Sequence, residues 1–200
     1  MTYPKFFDDI ESILLYDPLA DFLGAVESGV VEIAYIDAVK FAGHSCPTVA
    51  GAYLMTKLGL EHIFKEAMPI RGEIKVMVRG KKDEGVNGVI GNLIAYICGV
   101  SDEAGFKGIG GKFSRAFKLE YGSPIDGEVR LQRLDNGAYV DLSYDPSAVP
   151  PNPKMKELMA KLQSGKASIE DRKAFQQLWQ ERVEKILLTK ELWPRLVKLH

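Results

Sequence analysis

Hydrophobic positions along this chain change their period several times, and each change marks an expected element. Phe6, Phe7, Ile10, Ile13 and Leu14 recur at spacings of three and four, which predicts a helical opening segment that Pro18 punctuates. "LADFLGAV", residues 19–26, continues helical character towards Gly29. "VVEIAYI", residues 30–36, predicts a short buried strand, and Asp37 is placed to cap a turn of helix through Phe41. Val49, Ala50, Tyr53, Leu54 and Leu58 then form one apolar helical face. Pro47 suits the first position of that helix, which makes Cys46 its N-cap, and Gly59 is the expected terminator.

From Gly72 to Gly80 the period becomes two: Ile74, Val76 and Val78 alternate with Lys75, Met77 and Arg79, the pattern of a half-exposed strand. "KKDEGVNG" is a polar turn, and "VIGNLIAYICG" is a mostly buried helix ending at Cys98 and Gly99. The Gly-rich "GFKGIGGK" precedes three expected strands, "SRAFKLEY", "GEVRLQRL" and "AYVDLSY". Asp126-Gly127 and Asn136-Gly137 between them are hairpin signals. "DPSAVPPNP" holds four of the ten prolines and reads as a linker. Helical periodicity resumes beyond it, with Ser168 and Asp171 as N-cap and N3 acid. The stripe Phe175, Leu178, Trp179 and Val183 predicts packing on the domain or on a second copy of the chain. The expected class is therefore α+β, a mixed or antiparallel sheet packed with helices over residues 1–146, followed by a helical C-terminal extension over 147–200.

Composition narrows the function classes. With 26 Lys and Arg against 27 Asp and Glu, nothing points to nucleic acid or an anionic membrane. No run approaches the roughly 18 apolar residues of a membrane span, and Asp8, Asp9 and Glu11 interrupt the place where a secretory leader would need an apolar stretch. A cytoplasmic protein is expected. Two hundred residues bury a core without cross-links, so a metal would serve function before stability. Two cysteines suit a reducing compartment and allow one disulfide at most.

Candidate chemistry centres on "FAGHSCPTVAGAYL", residues 41–54, which sets one of three histidines two positions before one of two cysteines. A thiol at a helix N-terminus has its ionised form favoured by unpaired N–H groups, and imidazole with thiolate is a donor set that zinc favours. The ordinary reading of the same residues is a capping thiol beside a surface histidine. Cys98 ends a buried helix beside a Gly-rich loop, a place that can face the same crevice; its ordinary reading is a small buried hydrophobe. A nucleophilic Cys46 with His44 as base is the rival chemistry, but no local orienting Asn or Asp accompanies it. "GFKGIGGK" lacks the Lys-Ser/Thr ending of a P-loop and is read as a lid or tight turn with Lys112 as an anion contact; His62 and His200 are read as solvated.

These residues also carry a resemblance. "FAGHSCPTVAGAYLM" is similar to the Gly-His-x-Cys-Pro segment of the FmdE-like family of formylmethanofuran dehydrogenase components, whose members read Phe-His-Gly-His-x-Cys-Pro-Gly. Phe41, Gly43, His44, Cys46, Pro47 and Gly51 match; Ala42 replaces the first histidine and Thr48 stands where glycine is frequent. More loosely, Cys98 corresponds to the cysteine of the family's Gly-Cys-Thr and Gly111-Lys112 to its Gly-Lys, while an earlier cysteine and an Asp-Ala-Ile-Gln run are missing. The resemblance implies an α+β fold with a mixed sheet. It implies one zinc or other divalent transition metal held by His44, Cys46 and Cys98, with a fourth position for water, a carboxylate or a small-molecule ligand. It also implies a homodimer in an accessory or small-molecule-binding role. It transfers no activity, because formylmethanofuran chemistry belongs to a large molybdenum or tungsten complex. The other expectations are a thiol-dependent enzyme or redox sensor using Cys46, and a helical interaction module in which the Cys/His pair is incidental.

Overall fold

The computed structural model describes residues 2–200 and is an α+β molecule with a five-stranded mixed sheet and a two-stranded antiparallel one. Strand β3 (Ile74–Val78) sits inside the larger sheet because its alternating Ile74, Val76 and Val78 bury one whole face. On one side it pairs antiparallel with β5 (Val129–Arg133), which pairs with β6 (Tyr139–Tyr144). On the other side it pairs in parallel with β4 (Leu119–Tyr121). The parallel pair needs a crossover, and α4 (Asn87–Cys98) supplies it.

The buried face of this sheet, including Val129, Leu131, Val140 and Leu142, packs against α3 (Pro47–Phe64). Helix α3 is buried on most sides, with α4 beside it. Gly59 does not terminate it. A side chain at that position would collide with Leu131 and Leu142, so the glycine lets helix and sheet approach within the helix interior. The opposite sheet face is polar: Arg130 grips Asp141 through two bonds of 2.7 Å and lies over the Tyr139 ring.

The small sheet pairs β1 (Ile13–Tyr16) with β2 (Val30–Ile33). Ile13 and Leu14 are thus strand residues, not helical ones; Ile13 and Leu15 point inward and Leu14 outward, a period of two that the preceding aromatic pair disguised. The helical opening shrinks to a 3-10 turn, Lys5–Asp9. Strand β2 forms where expected, but of its four residues only Ile33 is buried. The "LADFLGAV" helix reduces to α1 (Pro18–Phe22), with Asp17 as its N-cap. Helix α2 (Tyr35–Ala42) starts before Asp37, whose carboxylate accepts from the Ala34 N–H at 3.1 Å.

Of the two hairpin signals only Asn136-Gly137 joins neighbouring strands, β5 and β6. Asp126-Gly127 connects β4 to β5, which β3 separates. A local turn signal carries no information about which strand fills the gap. "SRAFKLEY" contributes only Leu119, Glu120 and Tyr121 to the sheet.

The C-terminal stretch contains α5 (Met155–Gln163), α6 (Ile169–Leu188) and α7 (Trp193–Leu196). Ser168 and Asp171 form the expected reciprocal cap of α6. This stretch does not carry a separate core. Val183, Ile186, Leu187, Leu196 and Val197 join the hydrophobic cluster of the sheet and α3, and β7 (Val197–Leu199) becomes an edge strand beside β6. The Trp179 stripe therefore packs on its own chain. Glu11 ties the ends together, paired with Lys57 of α3 at 3.0 Å and with Lys190.

Candidate ligand crevice

The His44–Pro47 turn links α2 to α3. Cys46 is the N-cap of α3, and its Sγ accepts from the Val49 N–H at 3.4 Å. The thiol is only 8% exposed. His44 is exposed, and its Nδ1–H donates to the Ala42 carbonyl at 3.0 Å; no side-chain hydrogen bond joins it to Cys46. Helix α6 lies over the turn: Trp179 Nε1–H donates to Ser45 O at 2.9 Å, and Ser45 Oγ donates to Gln180 at 3.1 Å. Covered in this way, the Cys46 thiol lacks the base and the access a nucleophile needs.

Cys98 closes α4 as expected, but its side chain belongs to the core. Burial pushes its thiol up to about 12, with Arg71 pulling weakly the other way. Both cysteines are free thiols. Among the described residues there is no group of three or more His, Cys, Asp and Glu side chains placed to hold a metal ion, so His44, Cys46 and Cys98 do not come together as a ligand set. The residues present do not fit the zinc centre the resemblance implies.

The structure brings a different set of residues together. A cavity of about 620 Å³ opens between α1, the end of α2, the last turns of α4 and the loop that follows, within the size range of small-molecule sites. At its wall lies Asp17, 3% exposed. Its carboxylate accepts from the N–H groups of Leu19 (3.0 Å) and Ala20 (3.1 Å), from Arg71 Nη1 (3.0 Å) and from Arg115 Nη2 (2.5 Å). Burial alone would raise the Asp17 carboxyl; the Ala20 amide and the two guanidinium groups outweigh it and hold the carboxyl below its ordinary value.

The arginines also finish α4. Arg71 donates to Ile97 O (3.0 Å) and Tyr96 O (2.8 Å), and Arg115 to Gly99 O (3.0 Å). Tyr96 O also accepts from the Gly99 N–H at 3.2 Å, and the arginines supply donors to this last turn, where the helix dipole places partial negative charge. Two glycines make the arrangement fit. Gly72 (φ 86°) and Gly99 (φ 65°) adopt left-handed backbone, and a side chain on either would collide with Arg115.

No family model, curated protein or solved structure matches this chain. What the crevice can do must therefore be judged from its own chemistry. Its apolar wall includes Phe41 and Tyr96, whose rings stack at 4.6 Å and 15°, and the half-exposed Phe106. Asn92 and Ser101 add polar atoms, and Asp102 at the rim is held by Lys82 at 2.9 Å. Lys112 closes a turn with Ile109 and does not line the cavity.

The sequence pattern points to a crevice only at the Cys98 end of α4, beside the Gly-rich loop, and gives no place there to Asp17, Arg71 or Arg115. One signal was present: Asp17-Pro18 is an N-cap followed by an N1 proline, although the proline reads equally as a breaker. The arginines carried none, because each meets Asp17 across 54 and 98 positions.

Proposed function

We propose that this chain binds a small molecule in the crevice between α1, α2 and α4. The observation that supports this most is a buried carboxylate shared by two arginines on the wall of a largely apolar, open cavity. Such a network fixes donors in place before a ligand arrives, which lowers the ordering cost of binding. The FmdE-like resemblance adds an accessory, small-molecule-binding role, with a homodimer and a cytoplasmic setting as parts of the same proposal. Its metal centre is left aside because the three donors are not assembled. No helix of the described residues is long and apolar enough to cross a membrane.

The test is a two-dimensional amide NMR titration of the full chain with a fragment library containing acids, neutral molecules and amines. Binding should shift the resonances of Phe41, Asn92, Tyr96, Gly99 and Ser101 together. Shifts confined to other surfaces, or none, would remove the proposal.

A further inference from the structure

The charges and hydrogen bonds around this crevice also say what kind of molecule it suits. Resting on the small-molecule reading above, we propose that the ligand is a planar aromatic monocarboxylate, its anionic end at Arg115 and Arg71 and its ring against Phe41 and Tyr96.

Charge comes first. Arg71 and Arg115 share a single carboxylate, Asp17, while Asp102 at the rim is paired by Lys82 from outside the lining, so the inner end of the cavity sets two guanidinium groups against one carboxylate beside apolar surface. A single negative charge completes it; a cation would oppose it. Donor count agrees. A guanidinium has five N–H groups. Arg115 uses two of them on Asp17 and Gly99, and Arg71 uses three on Asp17, Ile97 and Tyr96. Among the described residues, five N–H groups therefore remain without a protein acceptor on side chains that line the cavity. Asn92 adds another donor: its Oδ1 accepts from Tyr121 at 2.9 Å, while its amide NH2 has no partner among the described residues. Donors in excess and acceptors already engaged describe a site for an acceptor, and a carboxylate matches the guanidinium fork.

The apolar part selects the rest of the molecule. Phe41 is 48% exposed although it stacks on Tyr96, so one ring face is spare. Phe106, on the loop after α4, is exposed and also lines the cavity. Rings gain from offset stacking beyond the area they bury. The arginines are anchored at both the Asp17 and α4 ends, which sets the distance between the anionic and aromatic subsites.

Isothermal titration and NMR on the full chain would compare benzoate and indole-3-carboxylate with benzamide and indole-3-carboxamide. The acids should bind at least about tenfold more tightly than their amides, since charge-assisted bonds are roughly twice as strong as neutral ones. Phe41→Ala, at a half-exposed position, should weaken benzoate severalfold more than cyclohexanecarboxylate. Arg115→Gln should erase the preference for acids, but the wild-type comparison decides even if that variant fails to fold. Acids and amides binding equally in the crevice, or only neutral or cationic fragments binding there, would overturn the carboxylate assignment and leave the binding site standing. Shifts in the crevice from no fragment of any charge would remove both.

Discussion

The His44–Cys46 turn and the Asp17–Arg71–Arg115 cluster both sit at helix ends, and both hold chemically capable side chains. They differ in what surrounds them. The turn is local, capped by its own next residues and covered by α6, and its nearest expected third donor is locked in the core. The cluster gathers three distant segments and opens onto a cavity. Local spacing decides where a side chain stands on its element. Whether it can act depends on what the rest of the chain brings to it, and here only the cluster receives both partners and space.

Substitutions should expose that difference, most strongly at Asp17. Asp17→Ala strands two guanidinium groups and removes the α1 cap, and should cost about 3–5 kcal/mol in urea unfolding. Cys46→Ser keeps a capping acceptor and should cost under about 1 kcal/mol. Equal losses would mean that the turn is as structurally committed as the cluster.

The next effect separates two left-handed glycines. Gly99→Ala introduces both backbone strain and a collision with Arg71 and Arg115, and should cost about 2–3 kcal/mol by thermal unfolding. Gly43→Ala, at the end of α2 with open space around it, meets strain alone and should lose about 1 kcal/mol. If the order reverses, Gly99 does not serve the arginines.

Acid sharpens the same contrast. The folded Asp17 carboxyl lies below its ordinary value of 3.8, so the stability it contributes is complete above that value and is lost as pH falls through the lower folded one. Urea midpoints measured from mildly acidic pH down to well below that value should fall less steeply in Asp17→Asn than in the wild type. Parallel slopes would show that Asp17 is not an acid-sensitive link. The smallest expected effect is at the cysteines: dialysis against a chelator should leave the melting temperature unchanged, and Cys46→Ala/Cys98→Ala should purify with the same metal content as wild type. A metal lost by that double variant would restore the three-donor centre.

Much of the fold was legible because it is locally determined. The period of two in Ile74–Val78, the Cys46-Pro47 start of α3 and the Ser168–Asp171 cap of α6 each involve neighbours in sequence. Strand order was not legible, because β4 and β5 are consecutive in sequence yet separated by β3, and β7 returns to β6 only after the whole run of C-terminal helices. The site followed the same division. Phe41 and Gly99 could be placed from local pattern; the charges that give the cavity its character could not, since ion pairs across 54 and 98 positions leave no periodic trace.

The most direct test of a binding crevice for carboxylates is a crystal structure of the full chain soaked with benzoate or indole-3-carboxylate. The account predicts density in the cavity with the carboxylate within hydrogen-bond distance of Arg115 and the ring against Phe41. A ligand bound elsewhere, or one turned with its carboxylate away from the arginines, would contradict it.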